Sequence, residues 1–191
     1  VVASTTSTTI VNRALQEISA QATVTGTNPA FDGSAAGNAA SILYTPSVQT
    51  LLRQTDYEFS RAVETLTPAS IAPPLNWGYA FNYPGDCIKI RQILPGTLST
   101  NNDPQPITWD VITTFVSGSQ ARVICTNIPA STIVYTTNSV SESEWDSLFE
   151  ETVVRYLASE FVMALGGRPD FSEKMLGVAG ALSQGGAGKD S

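Results

Sequence analysis

The sequence predicts an α+β fold: mainly a helical bundle, with a small antiparallel β meander inserted between N-terminal and C-terminal helices. Three observations carry this reading. Apolar residues recur at helical spacing near both ends. The middle third alternates apolar and polar residues between turn signals. The 191-residue chain, 42% hydrophobic, suits one domain with a sizeable insertion. The expected domain covers 1–183, with helices at about 8–20, 38–55, 142–165 and 171–182, a β-rich module at about 76–138, and a flexible tail at 184–191.

The first helix rests on Ile10, Ala14, Leu15 and Ile18, with Thr8 or Thr9 as its cap. From Thr23 to Gly37, the glycines, Asn28, Pro29 and Asp32 predict a long loop, a candidate inter-subunit contact through Phe31 and Asp32. Phe31 equally suits pinning that loop to its own core. Ile42, Leu43, Val48, Leu51 and Leu52 mark the second helix, which Pro46 should kink or restart with Thr45 as a new cap. Tyr57 to Leu66 fits strand and helix alike.

Trp77, Tyr79, Phe81 and Tyr83 fall on alternate positions, which in a strand puts four aromatics on one face. Pro84-Gly85-Asp86 predicts a turn, and Ile88 and Ile90 alternate with Lys89 and Arg91. After the polar loop 96–106 come Ile107-Trp109-Val111, a turn at Gly118, and β-rich runs at Ala121–Cys125 and Thr132–Thr136. The clearest helix follows. Ser141 and Glu144 have capping-box spacing, with Val140 and Trp145 placed as a hydrophobic staple. Gly166-Gly167 and Pro169 should end this helix, and Asp170 should cap a last one carrying Met175, Ala179 and Leu182.

Composition excludes several function classes. The chain has no histidine, which removes the commonest general base, the histidine-dependent nucleophile systems and almost all catalytic zinc sites. Cys87 and Cys125 have no metal-ligand spacing and read as small buried thiols. A net charge of −7 leaves little to neutralise phosphates, against a non-specific nucleic-acid binder. No apolar run approaches the roughly 20 residues of a membrane span, and Val1–Thr9 lacks signal-peptide character. The expected setting is soluble and reducing, with no membrane anchor. No Walker A, paired-glycine or calcium-loop motif appears, so no cofactor is expected. Glu142, Glu144, Asp146, Glu150, Glu151 and Glu160 cluster around Arg155. Acids in a first helical turn favour the positive end of the dipole, which explains Glu142 to Asp146 without catalysis. The aromatic row offers a stacking platform for sugars or bases, but suits core or interface better because no basic residue flanks it before Lys89.

Trp77, Tyr79, Ala80, Phe81, Pro84, Asp86, Cys87, Ile88 and Arg91 match a pattern of roughly W-x-Y-A-Y-x-L-P-x-D-C-L-R. That pattern resembles a segment of the head-to-tail connector adaptors of tailed phages, the portal-docking neck proteins of the tail tubular protein A type. Leu148 to Phe161 is similar to the long helix of the same family, and the early helix with Asn12-Arg-Ala-Leu also fits. Tyr57 stands where family members carry tryptophan, and Tyr83 where an aliphatic is usual. The resemblance implies a non-enzymatic virion protein of the phage neck and tail, assembled in the host cytoplasm. It implies a homo-oligomeric ring, typically of twelve copies, whose partners are the portal protein and the next tail or nozzle protein. Genomic DNA would pass through without specific binding. In that setting Leu182, Ser183, Gln184, Gly185, Gly186, Lys189, Asp190 and Ser191 become candidate contacts to the portal or a neighbouring subunit, ordering on docking. The alternatives are another neck or tail-completion protein, or a carbohydrate-binding adhesive module built on Trp77 to Tyr83.

Overall fold

A computed structural model of the chain describes residues 5–96, 107–116, 119–129, 131–166 and 169–186. The fold is α+β, with helices towards both ends and antiparallel strands between them. The chain divides into two compact units: Val1–Phe59 with Ser139–Ser191, and Ser60–Asn138. The insertion therefore begins at Ser60, ahead of the 76 expected from the sequence.

In the helical unit, α1 (Ser7–Glu17) is capped by Thr6, whose hydroxyl accepts from the Thr9 N–H at 3.3 Å, rather than by Thr8 or Thr9. The loop that follows holds a minimal hairpin, β1 (Gly26–Thr27) against β2 (Ala30–Phe31). Next, α2 (Ala35–Gln54) is capped by Ser34 and runs unbroken through Pro46, so the expected restart at Thr45 does not occur. The structure also resolves the ambiguous stretch after Tyr57: a short 3₁₀ turn, Glu58–Ser60, leads into a strand.

The long helix α3 (Ser147–Ala164) begins five residues later than expected. Ser141 instead opens a 3₁₀ turn, Glu142–Glu144, and caps it with no side-chain hydrogen bond. Asp146 caps α3, its carboxylate accepting from the Leu148 N–H at 2.6 Å. The capping box fails because a cap works only where the backbone leaves the extended region, and Trp145 is still extended at φ −67°, ψ 142°. Trp145 packs edge-on against Phe149 at 4.9 Å, and Tyr57 (4.6 Å) and Phe59 (5.0 Å) meet the same ring. Phe149, Val153, Leu157 and Phe161 are buried along α3, and it packs against α1, α2 and α4 (Pro169–Gly186). Gly166 ends α3 in the left-handed region at φ 77°, as its glycine predicts; Gly167 lies outside the described residues. Pro169 starts α4, and that helix reaches Gly186, so Gln184 to Gly186 are helical rather than a loose tail.

In the inserted unit, β3 (Arg61–Thr65), β8 (Ser131–Thr137) and β5 (Cys87–Pro95) form one sheet in the order β3-β8-β5. The other runs β4-β7-β6, from β4 (Tyr79–Asn82), β7 (Ser119–Thr126) and β6 (Trp109–Val116). Among the described residues of this unit only β6 and β7 pair as consecutive strands, so the meander connectivity seen there is confined to that hairpin; Gly118 and positions 97–106 lie outside the described residues. Leu66, Phe81, Ile93, Ile124, Ile133 and Tyr135 fill the space between the sheets, with Ile107, Trp109 and Val111 against them. Ile90 and Ile93 both serve this core because a register shift between Ile90 and Gln92 realigns the strand. Backbone bonds join the sheets along both margins: Ala69 N–H to Ala80 O and Asn82 N–H to Thr67 O on one, Ile107 N–H to Ile93 O on the other, each 2.9 Å. The result is a six-stranded barrel-like sandwich.

Because Asp146 caps α3, Asp146→Ala should lower unfolding free energy by about 1 kcal/mol, and Ser141→Ala by only a few tenths. Chemical denaturation of both variants checks this; an equal or larger loss for Ser141→Ala would contradict the assignment.

Candidate functional site

The acids that cluster in sequence at the start of α3 are paired in space with α1. The Arg13 guanidinium bridges Glu150 and Glu151, the latter at 2.6 Å. Arg155 completes the lattice, to Glu151 at 2.9 Å and to Glu17. Thr5 donates to Glu150 at 3.0 Å, and the Tyr44 hydroxyl to Glu142 at 3.1 Å. Burial, and then the Glu142 charge, pushes the Tyr44 phenol far above its ordinary range, so it stays a donor. These ion pairs are partly solvated, so each contributes weakly. Together they fix the rotation of α1 on α3 and commit Glu150 and Glu151 to structure.

Phe31 and Asp32 are likewise committed within their own unit. The Phe31 ring lies edge-on to Tyr44 at 6.2 Å. The Asp32 carboxylate accepts from Thr25 N–H at 2.6 Å and Ser34 N–H at 3.0 Å, and it also takes the Ser34 hydroxyl. That hydroxyl bond first, then the two N–H bonds, holds the Asp32 carboxyl down at about 2. Ser34 in turn accepts from Gly37 N–H at 3.0 Å to cap α2. Gly37 is glycine because any Cβ there would strike the Asp32 carbonyl. Asp32 two residues ahead of the Ser34 cap is the local signal in the sequence for this helix start.

The aromatic row does not form one face. The strand covers only Tyr79–Asn82; Phe81 is buried between the sheets while Tyr79 is exposed. Trp77 packs with Ala80, Val123 and Cys125 on the outer side of the second sheet. Tyr83 returns to the inner core and carries the Arg122 guanidinium 4.1 Å above its ring. Tyr83 keeps to the side of Phe81, whereas Trp77 lies before β4 begins at Tyr79, and there the period-two spacing fails. The expected turn is present, with Cys87 N–H donating to Pro84 O at 3.2 Å. Asp86 accepts from Tyr135 (3.1 Å) and Thr137 (2.6 Å), tying the turn to β8. Burial raises both thiols, and it carries the Tyr83 phenol, 3.3 Å from Cys87 Sγ, to about 12. Protonated thiols are poor nucleophiles.

No protein-family model matches the chain, and no characterised protein matches it in sequence. Among the described residues, no group of three or more acids and cysteines is placed to hold a metal ion, and no helix is long and apolar enough to cross a membrane.

What remains open is surface. On α4, Ser172, Met175, Ala179 and Ser183 are buried, while Leu176 (41% exposed) and Val178 (39%) face outward. Met163 and Leu165, at the end of α3, are exposed as well. Of the expected tail contacts, Leu182 is half-buried, Ser183 is buried and donates to Gly180 O at 2.9 Å, and Gln184 is exposed. Gly185 and Gly186 close α4; Lys189, Asp190 and Ser191 lie outside the described residues. Gln184 to Gly186 thus belong to α4, where the sequence predicted a flexible tail.

Asp32 titrates low when folded, so its contribution to stability is complete above its ordinary value near 3.8 and is lost as pH falls towards 2. Asp32→Asn should therefore be less stable than the parent at pH 6, with the gap closing between pH 4 and 2. Thermal melts across that range test the sign; a gap that widens on acidification would be the wrong result.

Proposed function

We propose that the chain is a structural adaptor of a phage neck. Copies of it would form a ring that docks beneath the portal, extends the DNA channel and receives the next tail or nozzle protein. The observation that carries this reading is the exposure of four apolar side chains near the end of the helical unit: Met163 and Leu165 at the end of α3, and Leu176 and Val178 on either flank of the buried stripe of α4. The Glu17, Glu142, Glu150 and Glu151 carboxylates of the same unit are engaged internally. Exposed apolar surface of that kind marks a protein–protein contact. A head-to-tail contact that closes under rotation makes a ring.

The motif residues shared with the connector adaptors support the reading. Phe81, Asp86 and Cys87 all help hold the inserted unit together. A subunit of charge −7 suits a conduit that must release its cargo, because acidic walls repel phosphate within a Debye length of about 8 Å. The adhesive alternative loses its basis, since the four aromatics do not share a platform. The pairing of Glu150 and Glu151 with Arg13 also removes them as free lumen charges. Reversing them would loosen α1 from α3 before it altered any channel.

Negative-stain images of portal mixed with the chain should show added ring density. The double variant Leu176→Glu, Val178→Glu should abolish that density while shifting the melting temperature by no more than a few degrees, because both side chains are solvent-facing. Unchanged density in the variant would remove α4 from the docking surface, and absence of density with the parent chain would sink the adaptor reading.

A further inference from the structure

The two edges of β7 are unequally covered. On one side β6 pairs with it along its whole length, from Trp109↔Thr126 to Val116↔Ser119, with no register shift. On the other side β4 reaches only Asn82↔Val123. The chain then turns away at Pro84, which has no N–H to donate. Ser119–Arg122 are left with an open ladder on that side. In an antiparallel strand, alternate residues point their backbone groups to each edge, so four residues offer about two bonding pairs. Among the described residues, no backbone hydrogen bond occupies them.

Open edges in folded proteins are normally blunted by charge, proline, a bulge or a cover. Ser119, Gln120 and Ala121 supply none of these. By strand alternation the Ala121 and Val123 side chains project to one face of β7 and the Arg122 side chain to the other. A shallow groove of about 240 Å³ lies beside the strand, with Ala69, Ile71, Asn82, Ala121, Arg122 and Val123 among its walls. The Arg122 guanidinium lies over the Tyr83 ring and makes no ion pair among the described residues.

The geometry points to a strand-addition site: the open edge of β7 takes an extended segment of a different protein, continuing the line of β4 beyond Asn82. Successive side chains of an added strand project to opposite faces. The segment therefore carries an aliphatic residue next to an acidic one, the first entering the groove and the second meeting Arg122. Main-chain bonds supply affinity, and these two side chains supply selection. The inference rests on the adaptor reading only for the donor's origin, a portal or tail component.

The test uses three capped synthetic peptides on the full chain. The first is Ser-Thr-Val-Asp-Val-Thr-Ser, the second replaces its Asp by Lys, and the third is the first with alternate backbone amides methylated. The Asp peptide should slow amide exchange at Ser119–Arg122 and bind roughly threefold tighter than the Lys peptide, the scale of one exposed ion pair. Arg122→Glu should invert that preference, and the methylated peptide should not bind. Equal binding of the Asp and Lys peptides, or no protection of Ser119–Arg122 at millimolar peptide, overturns the proposal. Self-association of the peptide-free chain that Arg122→Glu abolishes also overturns it, by assigning the edge to a second copy. Ring density on the portal is read separately, so failure of the edge and failure of the adaptor reading are distinguishable.

Discussion

Burial of α3 is the constraint on which the helical unit depends. One helix serves as the shared wall for α1, α2 and α4, and its inward residues Phe149, Val153, Leu157 and Phe161 are almost wholly removed from water. Burying each such side chain contributes about 1.5–3 kcal/mol, more than any single partly exposed ion pair around it. The Arg13 and Arg155 lattice then selects which face of α1 meets α3. Apolar burial sets the magnitude of association, and charge sets its geometry. This division explains how a chain poor in charged residues still defines one packing: two of its ten cations, Arg13 and Arg155, sit where α1 and α3 must register.

The inserted unit depends on a different device. Apart from the β6–β7 hairpin, successive strands switch between two sheets, and hydrogen bonds along both margins join those sheets around a common core. The turn at Pro84 to Cys87 is fastened by Asp86 to Tyr135 and Thr137. The residues that carry the resemblance to the connector adaptors are thus largely residues that shape this fold. Their roles are internal to the inserted unit, whereas the surfaces proposed above for partners involve other residues, on α4 and along β7.

Much of the fold was legible from local rules. Helical spacing placed the long helices, Gly166 marked the end of α3, and alternation at Ile107, Trp109 and Val111 marked a strand, which the structure shows as β6. Errors arose where a local signal competed with tertiary packing. Pro46 reads as a break, but α2 continues through it. Ser141 and Glu144 have the spacing of a capping box, yet Trp145 must stay extended to reach Phe149, so the start moves to Asp146. The candidate surfaces were less legible. Exposure of Leu176 and Val178 depends on which side of α4 is buried, and the free edge of β7 depends on how far β4 extends. Neither property belongs to a single segment of sequence.

The helical unit is assembled from two stretches of chain separated by Ser60–Asn138. During synthesis, α1 and α2 emerge before the helix they must pack against. At about 5–20 residues per second, the roughly 80 intervening residues delay α3 by about 4–16 seconds. The apolar faces of α1 and α2 are uncovered throughout that interval, while the inserted strands already have all their own pairing partners. Translation order therefore favours completing the insertion first and closing the helices last, and the nascent chain is most vulnerable to aggregation before α3 leaves the ribosome.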